Sequence, residues 1–260
     1  MKVCLLSSGS VGNAIVIEGE ESAVLIDCGL TFKKFDELIQ KTKLDIGKIK
    51  YLLVTHEHGD HIKGAGICAR KLNLEMWATE ATIDKLYSKK ILRSSDNEPY
   101  FVEKYTPYQM GEFKFMPFPL SHDAADPVGF IIKHKEKKVV VLTDTGYVSR
   151  EVMNYIKNAE IYILETNHNV EMLHMCNRPW QLKQRILSDY GHLSNEEGAH
   201  ILCKIAGDKT KHVFLSHLSQ EANLQDLAFM TVKNILKDHN IQHLNLHMTY
   251  PMSPSSVVEI

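Results

Sequence analysis

Four segments of the chain share one pattern, in which a run of hydrophobic residues is followed almost at once by His or Asp. The first reads YLLVTHEHGDH over residues 51–61, and the others end at His122, Asp144 and His217. Short β-branched runs of this kind predict buried strands. In layered α/β domains the C-terminal ends of strands commonly meet at one edge, where ligands bind. We therefore expect these four strand ends to lie together and to carry a functional site.

The rest of the chain alternates short apolar runs with stretches of helical periodicity, such as a predicted helix over residues 62–71. It has 260 residues, of which 44% are hydrophobic and 24% charged. That composition is ordinary for a globular protein, and the length suits one large α/β domain over residues 1–260. Some strands are joined by tight turns, so we expect two sheets of mixed pairing with helices outside.

Charge and cysteine usage narrow the function class. The formal net charge of −2 shows that the chain is not basic overall, so any nucleic-acid binding must depend on a local group of positive charges. The five cysteines form no CxxC pair, which indicates buried free thiols rather than a disulfide framework or a thiolate zinc site. The N-terminal apolar run is too short for a signal peptide, and no apolar run reaches the roughly eighteen residues that span a membrane. We expect a soluble, cytoplasmic protein without membrane partners.

The densest group of candidate ligands is His56, His58, Asp60 and His61, which lie within six residues. Imidazole and carboxylate donors suit zinc or manganese. One ion could not use all four comfortably, whereas a strand-to-helix turn lets close neighbours point to two centres. A polar surface turn is the alternative interpretation, and the apolar residues on both sides of the group argue against it.

This HxHxDH pattern resembles the signature of the metallo-β-lactamase fold, an αββα four-layer sandwich of hydrolases with a two-metal site. The later segments occur in that family's order. The resemblance implies that His56, His58 and His122 hold one metal ion, that Asp60, His61 and His217 hold the second, and that Asp144 bridges the two. It also implies a single domain without the β-CASP insertion, because the stretch between Asp144 and His217 is too short to contain one.

Seven segments narrow the resemblance to the YycJ (WalJ, VicX) branch: SSGSVGNA (7–14), THEHGDHIKG (55–64), SHDAADP (121–127), TDTGYVS (143–149), ETNHNVEML (165–173), GHLSNE (191–196) and LSHLS (215–219). This branch is implied to hydrolyse nucleic-acid phosphodiesters as a bacterial 5′-to-3′ exonuclease. The compact tRNase Z-type phosphodiesterases are related to it. Such compact members cleave tRNA precursors, cyclic nucleotides or cyclic phosphate esters with nearly the same ligands.

Asp60 and His192 are predicted to take part in catalysis. Two metal ions about 3.5–4 Å apart can share a hydroxide for in-line attack at phosphorus, and Asp60 could orient that hydroxide while ligating a metal. His192 lies outside the ligand set, just before a helix, and could protonate the leaving oxygen. The resemblance favours this role over a purely structural histidine. Glu165 and His168 are weaker candidates to orient His192 or to contact substrate.

Two other segments have open interpretations. The turn over residues 8–13 (SGSVGN) could present backbone N–H groups and hydroxyls to a phosphate, although a plain hairpin turn is at least as compatible with these residues. Asp27 ends a predicted strand, and we expect it to support the metal loop by hydrogen bonding rather than to bind metal.

Three functions from two classes remain open. The first is a two-metal phosphodiester hydrolase, a 5′-to-3′ exonuclease acting on DNA or RNA through a metal-bridging hydroxide. The second is a small-molecule phosphodiesterase that opens cyclic nucleotides. The weak net charge and the lack of an aromatic-basic stripe favour the second, and the YycJ-like motifs favour the first. A metal-binding regulatory module without turnover is the third, although a closed structural site needs only four ligands. The sequence leaves the oligomeric state open, a homodimer included.

Overall fold

A computed structural model describes residues 1–260, which form nine α-helices and two seven-stranded sheets. The chain divides into two compact units. The first unit comprises Met1–Pro119, Ala124–Lys137 and Tyr250–Ile260. The second unit comprises Leu120–Asp123 and Lys138–Thr249. The single-domain boundary at residues 1–260 stays a prediction.

The first unit contains ten strands and four helices. The strands are β1 (Lys2–Ser7), β2 (Ala14–Glu18), β3 (Ala23–Ile26), β4 (Ile49–Leu53), β5 (Glu75–Ala78), β6 (Tyr100–Phe101), β7 (Tyr108–Met110), β8 (Phe113–Pro119), β9 (Val128–His134) and β14 (Val258–Glu259). The helices are α1 (Phe32–Ile39), α2 (Gly59–Ile62), α3 (Ala65–Leu72) and α4 (Glu80–Ser88). One sheet has the order β14-β1-β2-β3-β4-β5-β6, and β7, β8 and β9 pair antiparallel.

The centre of the first sheet is parallel, and this positions the first set of candidate ligands. Strand β4 pairs parallel with β3 in the register Leu25↔Leu52 and Ile26↔Leu53, so the C-terminal ends of the two strands lie side by side. All four residues of β3 are buried. Helix α1 begins after Thr31, whose hydroxyl accepts the N–H of Lys34, and it packs Phe35 into the core.

The helix predicted over residues 62–71 is wrong as a single element. The chain forms the short helix α2 and then the separate helix α3, with Lys63 and Gly64 between them. A Cβ atom on Gly64 would lie 1.8 Å from the carbonyl oxygen of Leu30, and the Gly64 N–H donates to the Cys28 carbonyl at 2.8 Å. This close packing of two backbone segments explains the break between α2 and α3. The apolar periodicity of the sequence gives no sign of that contact.

The second unit is a parallel sheet with five helices. The strands, in spatial order β13-β12-β11-β10, are β10 (Lys137–Leu142, within this unit from Lys138), β11 (Ile161–Glu165), β12 (His212–Ser216) and β13 (Asn245–Met248). The helices are α5 (Arg150–Ile156), α6 (Val170–Met175), α7 (Trp180–Ile186), α8 (Asn195–Ile205) and α9 (Gln225–Asp238). Ser194 and Glu197 form the capping box expected at the start of α8.

Parallel pairing aligns the strand ends of the second unit as well. Val141 of β10 is in register with Ile163 of β11, which is in register with Phe214 of β12. The residues that follow these strands therefore emerge at one edge of the sheet, where α/β proteins commonly bind ligands.

All five cysteines are free, as expected, although only three of them are buried: Cys4, Cys28 and Cys68. The sequence did not indicate that the Sγ atoms of Cys28 and Cys68 lie 3.2 Å apart. None of the helices combines the length and the apolar character that a membrane crossing requires.

Candidate active site

The first unit gathers four of the predicted ligands at the end of β4. His56 follows the strand, His58 is the N-cap of α2, and Asp60 and His61 lie within α2. The ring centroids of His56 and His58 are 4.7 Å apart, and those of His56 and His61 are 4.1 Å apart. These four candidate metal ligands, which are close in sequence, therefore share one strand-to-helix turn.

Asp27 supports this cluster through hydrogen bonds, as expected. It follows β3, is buried, and its Oδ1 accepts the Thr55 N–H at 2.8 Å. Its Oδ2 accepts the Thr55 hydroxyl and the Nδ1–H of His61, each at 2.7 Å. A carboxylate on Nδ1 fixes the imidazole tautomer, orients the ring and leaves Nε2 as the ligand atom.

The turn over residues 8–13 also contacts the cluster, through a residue that the sequence did not single out. Asn13 accepts the Gly9 N–H at 2.8 Å through Oδ1, which assigns its Nδ2 as the donor. Nδ2 lies 3.3 Å from Oδ2 of Asp60 and 3.0 Å from Nε2 of His61. A Cβ atom on Gly29 would lie 1.7 Å from the Asp60 carbonyl oxygen, so the backbone at Gly29 packs directly against the backbone at Asp60. An Asn in a Gly/Ser-rich turn carries no signal of this contact.

The second unit gathers His122, Asp144, His192 and His217. Asp144 Oδ1 lies 3.3 Å from Nε2 of His217. The ring of His192 has its centroid 5.1 Å from that of His122 and 5.3 Å from that of His217. The potential ligand atoms of Asp144, Glu165, His192 and His217 all lie within 4.8 Å of one another.

Glu165, a weaker candidate from the sequence, holds two of these histidines. Its Oε1 accepts hydrogen bonds from Nδ1 of His192 at 2.7 Å and from Nδ1 of His217 at 3.1 Å. Its Oε2 accepts the N–H groups of Thr145 at 2.9 Å and Leu193 at 3.4 Å. Burial alone would raise the pKa of this carboxyl, but the adjacent histidines lower its pKa to about 2. Glu165 is therefore an ionised carboxylate at neutral pH.

His168, the other weaker candidate, is buried, with only 1% of the residue exposed. Burial lowers its pKa to about 4, so the ring is neutral near pH 7. Its backbone carbonyl accepts the Asn195 N–H at 2.9 Å, and His168 pairs with Ser194. His168 thus holds the segment that follows His192 through the backbone.

Three residues at these strand ends adopt left-handed backbone conformations that only glycine adopts freely. They are Asp27 (φ 57°), Asp144 (φ 58°) and His217 (φ 57°). Such a conformation costs about 1–2 kcal/mol for an ordinary residue and occurs preferentially at functional sites. The same local turn re-aims the side chain after three different strands.

The donor chemistry fits divalent metal ions. Four histidines place Nδ1 against a neighbouring acceptor, the arrangement that holds metal-ligating histidines with Nε2 toward the ion: His56 on the Thr55 hydroxyl (2.9 Å), His61 on Asp27 (2.7 Å), His122 on the Gly191 carbonyl (3.2 Å) and His217 on Glu165 (3.1 Å). Carboxylates complete the set. Imidazole and carboxylate donors of this kind suit zinc and manganese.

Residues 22–218 match the sequence profile of the Beta-lactamase superfamily domain, a range that includes every ligand predicted from the sequence. The chain therefore belongs to the β-lactamase superfamily, in the class of metal-dependent hydrolases with the metallo-β-lactamase fold. This membership and the His/Asp donors imply divalent metal ions.

Named relatives are similar to the chain over nearly its whole length. It is 36% identical over 257 residues to a Bacillus anthracis protein named exodeoxyribonuclease YycJ, covering 97% of each chain. Its fold is similar to that of the metallo-β-lactamase fold protein YhfI from Bacillus subtilis (TM-score 0.76, 16% identity, 100% of this chain and 99% of that chain). It is also similar to the short form of human tRNase Z (TM-score 0.64, 18% identity, 85% of this chain and 93% of that chain).

These likenesses confirm the predicted fold, two sheets flanked by helices, and the resemblance to the YycJ branch. At 16% and 18% identity, the two solved structures show the fold alone. The ligand assignments and the role of His192 stay predictions.

Proposed function

We propose that the chain is a metal-dependent exonuclease that removes nucleotides from the 5′ end of DNA. The name of the Bacillus anthracis relative supports the substrate, and the identity of 36% extends over 97% of both chains. The motifs shared with the YycJ branch support the 5′-to-3′ polarity. Five free cysteines suit a reducing compartment, so we place this activity in the cytoplasm.

We further propose that two ions, zinc or manganese, are held by the predicted ligands. His56, His58 and His122 would hold one ion, and Asp60, His61 and His217 the other, with Asp144 shared between them. The resemblance supports this distribution, and the common Nδ1 anchoring of four of the histidines supports Nε2 as their ligand atom. When bound, two such ions lower the pKa of water toward neutrality and stabilise the charge of a phosphodiester.

The single observation that carries catalysis, rather than metal storage, is the 2.7 Å hydrogen bond from His192 Nδ1 to Glu165. This hydrogen bond orients the ring and leaves Nε2 to face the leaving oxygen, to which His192 would donate a proton. The His192 side chain is 15% exposed, whereas Glu165 is fully buried. Seven predicted ligands and a further histidine beside them exceed the four ligands that a closed structural site needs. Asp60, with a side chain 22% exposed at the start of α2, would both ligate a metal and orient the attacking hydroxide.

Product analysis tests the reaction. The protein, supplied with Mn²⁺ or Zn²⁺, is incubated with DNA labelled at either end, with RNA and with cyclic nucleotides. We expect mononucleotides or short fragments released from the 5′ end of DNA, and no release by Asp144→Ala. Intact DNA together with rapid opening of a cyclic nucleotide would replace this proposal by the small-molecule phosphodiesterase.

Elemental analysis tests the metal assignment independently of the substrate. We expect two divalent ions per chain in an active preparation, and loss of both in Asp144→Ala, because that carboxylate is shared. An active preparation holding a single ion would refute the two-metal site.

A further inference from the structure

Two exposed tyrosines in the second unit lie close in sequence to a proposed metal ligand, Asp144, and to the proposed proton donor, His192. Tyr147 lies three residues after Asp144 and is 53% exposed, and Tyr190 lies two residues before His192 and is 63% exposed. They are the two most exposed of the ten tyrosines in the chain. An exposed aromatic ring next to a candidate active site offers a flat surface on which a nucleobase can stack.

The two loops that carry these tyrosines pack directly against each other. A Cβ atom on Gly146 would lie 2.2 Å from the carbonyl oxygen of Ser188 and 2.6 Å from the carbonyl carbon of Asp189. Tyr147 and Tyr190 are each one residue from this contact. The two tyrosines therefore extend from neighbouring loops whose backbones are in contact.

The backbone of both loops is hydrogen-bonded into the network around His192. The Tyr147 carbonyl accepts the Thr145 hydroxyl at 2.8 Å, and the Thr145 N–H donates to Glu165 at 2.9 Å. On the other loop, the Gly191 N–H donates to the Ser188 carbonyl at 2.8 Å, and the His192 N–H donates to the Ile186 carbonyl at 3.0 Å. The backbone at both tyrosines is thus linked to His192 through short, hydrogen-bonded segments.

A cationic side chain, that of Arg185, extends from the helix that precedes the loop of Tyr190. Arg185 has a side chain 52% exposed, and its Nε lies 2.9 Å from Asp123, the neighbour of His122. Its backbone contacts the loop, since a Cβ atom on Gly191 would lie 2.3 Å from the Arg185 carbonyl oxygen. Exposed aromatic rings combined with a guanidinium are the elements with which proteins bind single-stranded nucleic acid, the rings stacking on bases and the cation facing the backbone.

We propose that Tyr147 and Tyr190 form a stacking subsite for unpaired bases of the strand that is cleaved, with Arg185 facing its phosphates. This inference rests on the proposed nuclease function and adds to it that the chain grips the bases of its substrate. Because every base has a π-face, the subsite favours unpaired strands without selecting a sequence.

The test is a binding measurement on the full, metal-loaded chain in a His192→Ala background, in which turnover is slow. The Kd for a 3′-labelled single-stranded DNA oligonucleotide is measured by fluorescence anisotropy. The same is done for an abasic strand of equal length and charge. Tyr147→Ala and Tyr190→Ala are compared with Tyr147→Phe and Tyr190→Phe, which keep a stacking ring. Tyr155→Ala, which removes an exposed tyrosine of α5, is the matched control.

We expect each alanine variant to raise the Kd for the normal strand by about 5- to 100-fold. The phenylalanine variants and Tyr155→Ala should stay within about twofold of the parent. The abasic strand should bind the parent weakly, and the alanine variants should weaken it little further. A 2-aminopurine placed at the end of the strand should be quenched by the parent and not by the alanine variants.

Alanine variants that bind the normal strand like the parent, or that lose equal affinity for normal and abasic strands, would overturn the stacking subsite while leaving the nuclease proposal intact. A parent that binds neither strand while the two metals are present would reject the nuclease function, and the subsite with it.

Discussion

The carboxylate of Glu165, which is buried, accepts a hydrogen bond at 2.7 Å from Nδ1 of the partly buried His192 in the second unit. The same oxygen also holds His217, one of the proposed metal ligands. The proposed proton donor and a proposed metal ligand therefore depend on one carboxylate. This shared support makes the roles of the two histidines separable by experiment, because each can be changed while Glu165 remains.

His192→Ala should lower the turnover of DNA by about 10²–10⁴-fold while both metal ions stay bound. A p-nitrophenyl phosphodiester has a leaving group that needs little protonation, so its hydrolysis should be largely retained. His58→Ala is the comparison, because loss of a metal ligand should depress both substrates. Equal losses on activated and unactivated esters for His192→Ala would return this histidine to a structural role.

Glu165→Gln should lower both stability and activity. Glu165 accepts N–H donors on both oxygens, from His192 and His217 on one side and from Thr145 on the other. A glutamine amide must turn its NH₂ group toward one of these donors, which leaves buried donors unsatisfied at a cost of about 1–3 kcal/mol. Urea unfolding measures the loss, and Glu75→Gln, on an exposed position of β5, is the control. Unchanged stability would show that the network relaxes around the amide.

Asp27→Asn should weaken metal binding by about 10–100-fold, since Asp27 orients the ring of His61 through the hydrogen bond to Nδ1. Calorimetric titration of the metal-free protein with Zn²⁺ or Mn²⁺ measures the affinity. Glu112→Gln alters a carboxylate that contacts no proposed ligand and should leave the affinity unchanged. An affinity of Asp27→Asn equal to that of the wild type would remove Asp27 from the support of the site.

Gly29→Ala and Gly59→Ala should differ sharply in stability. A Cβ atom on Gly29 would lie 1.7 Å from a backbone oxygen, whereas one on Gly59 would meet nothing within 4 Å. We expect Gly29→Ala to destabilise the protein by about 3 kcal/mol or more, and Gly59→Ala to change stability by less than about 1 kcal/mol. The midpoints of urea unfolding give both values, and a similar midpoint for the two variants would contradict the packing described here.

Glu112→Gln should destabilise the protein in a pH-dependent way. Burial would raise the pKa of Glu112, but the backbone N–H groups of Glu21 and Ser22, with the Ser22 hydroxyl, lower its pKa to about 2. A folded pKa below the ordinary value of 4.5 means that the carboxylate stabilises the fold fully above about pH 4.5 and loses this contribution as the pH falls toward 2. We expect a deficit of about 1–3 kcal/mol at pH 7 that shrinks below pH 4.5. A deficit independent of pH would indicate a packing effect.

Several features of the fold were readable from the sequence because they depend on neighbours along the chain. The strands before His56, Asp144 and His217 are apolar runs, and the capping box of α8 is encoded in four consecutive residues. The cluster of His56, His58, Asp60 and His61 was also apparent, since its members share one turn.

Local periodicity and side-chain chemistry were therefore enough to predict the strands, the candidate ligands and the order of the motifs. The distant residues that support these candidates are set by tertiary packing. Asn13 meets Asp60 across 47 residues, and Glu165 meets His192 across 27. The break before α3 exists because Gly64 meets the backbone of Leu30. Such contacts bring together segments that are far apart in the chain. The hydrophobic periodicity of each segment gives no information on the distance between them, because that distance depends on how the segments pack.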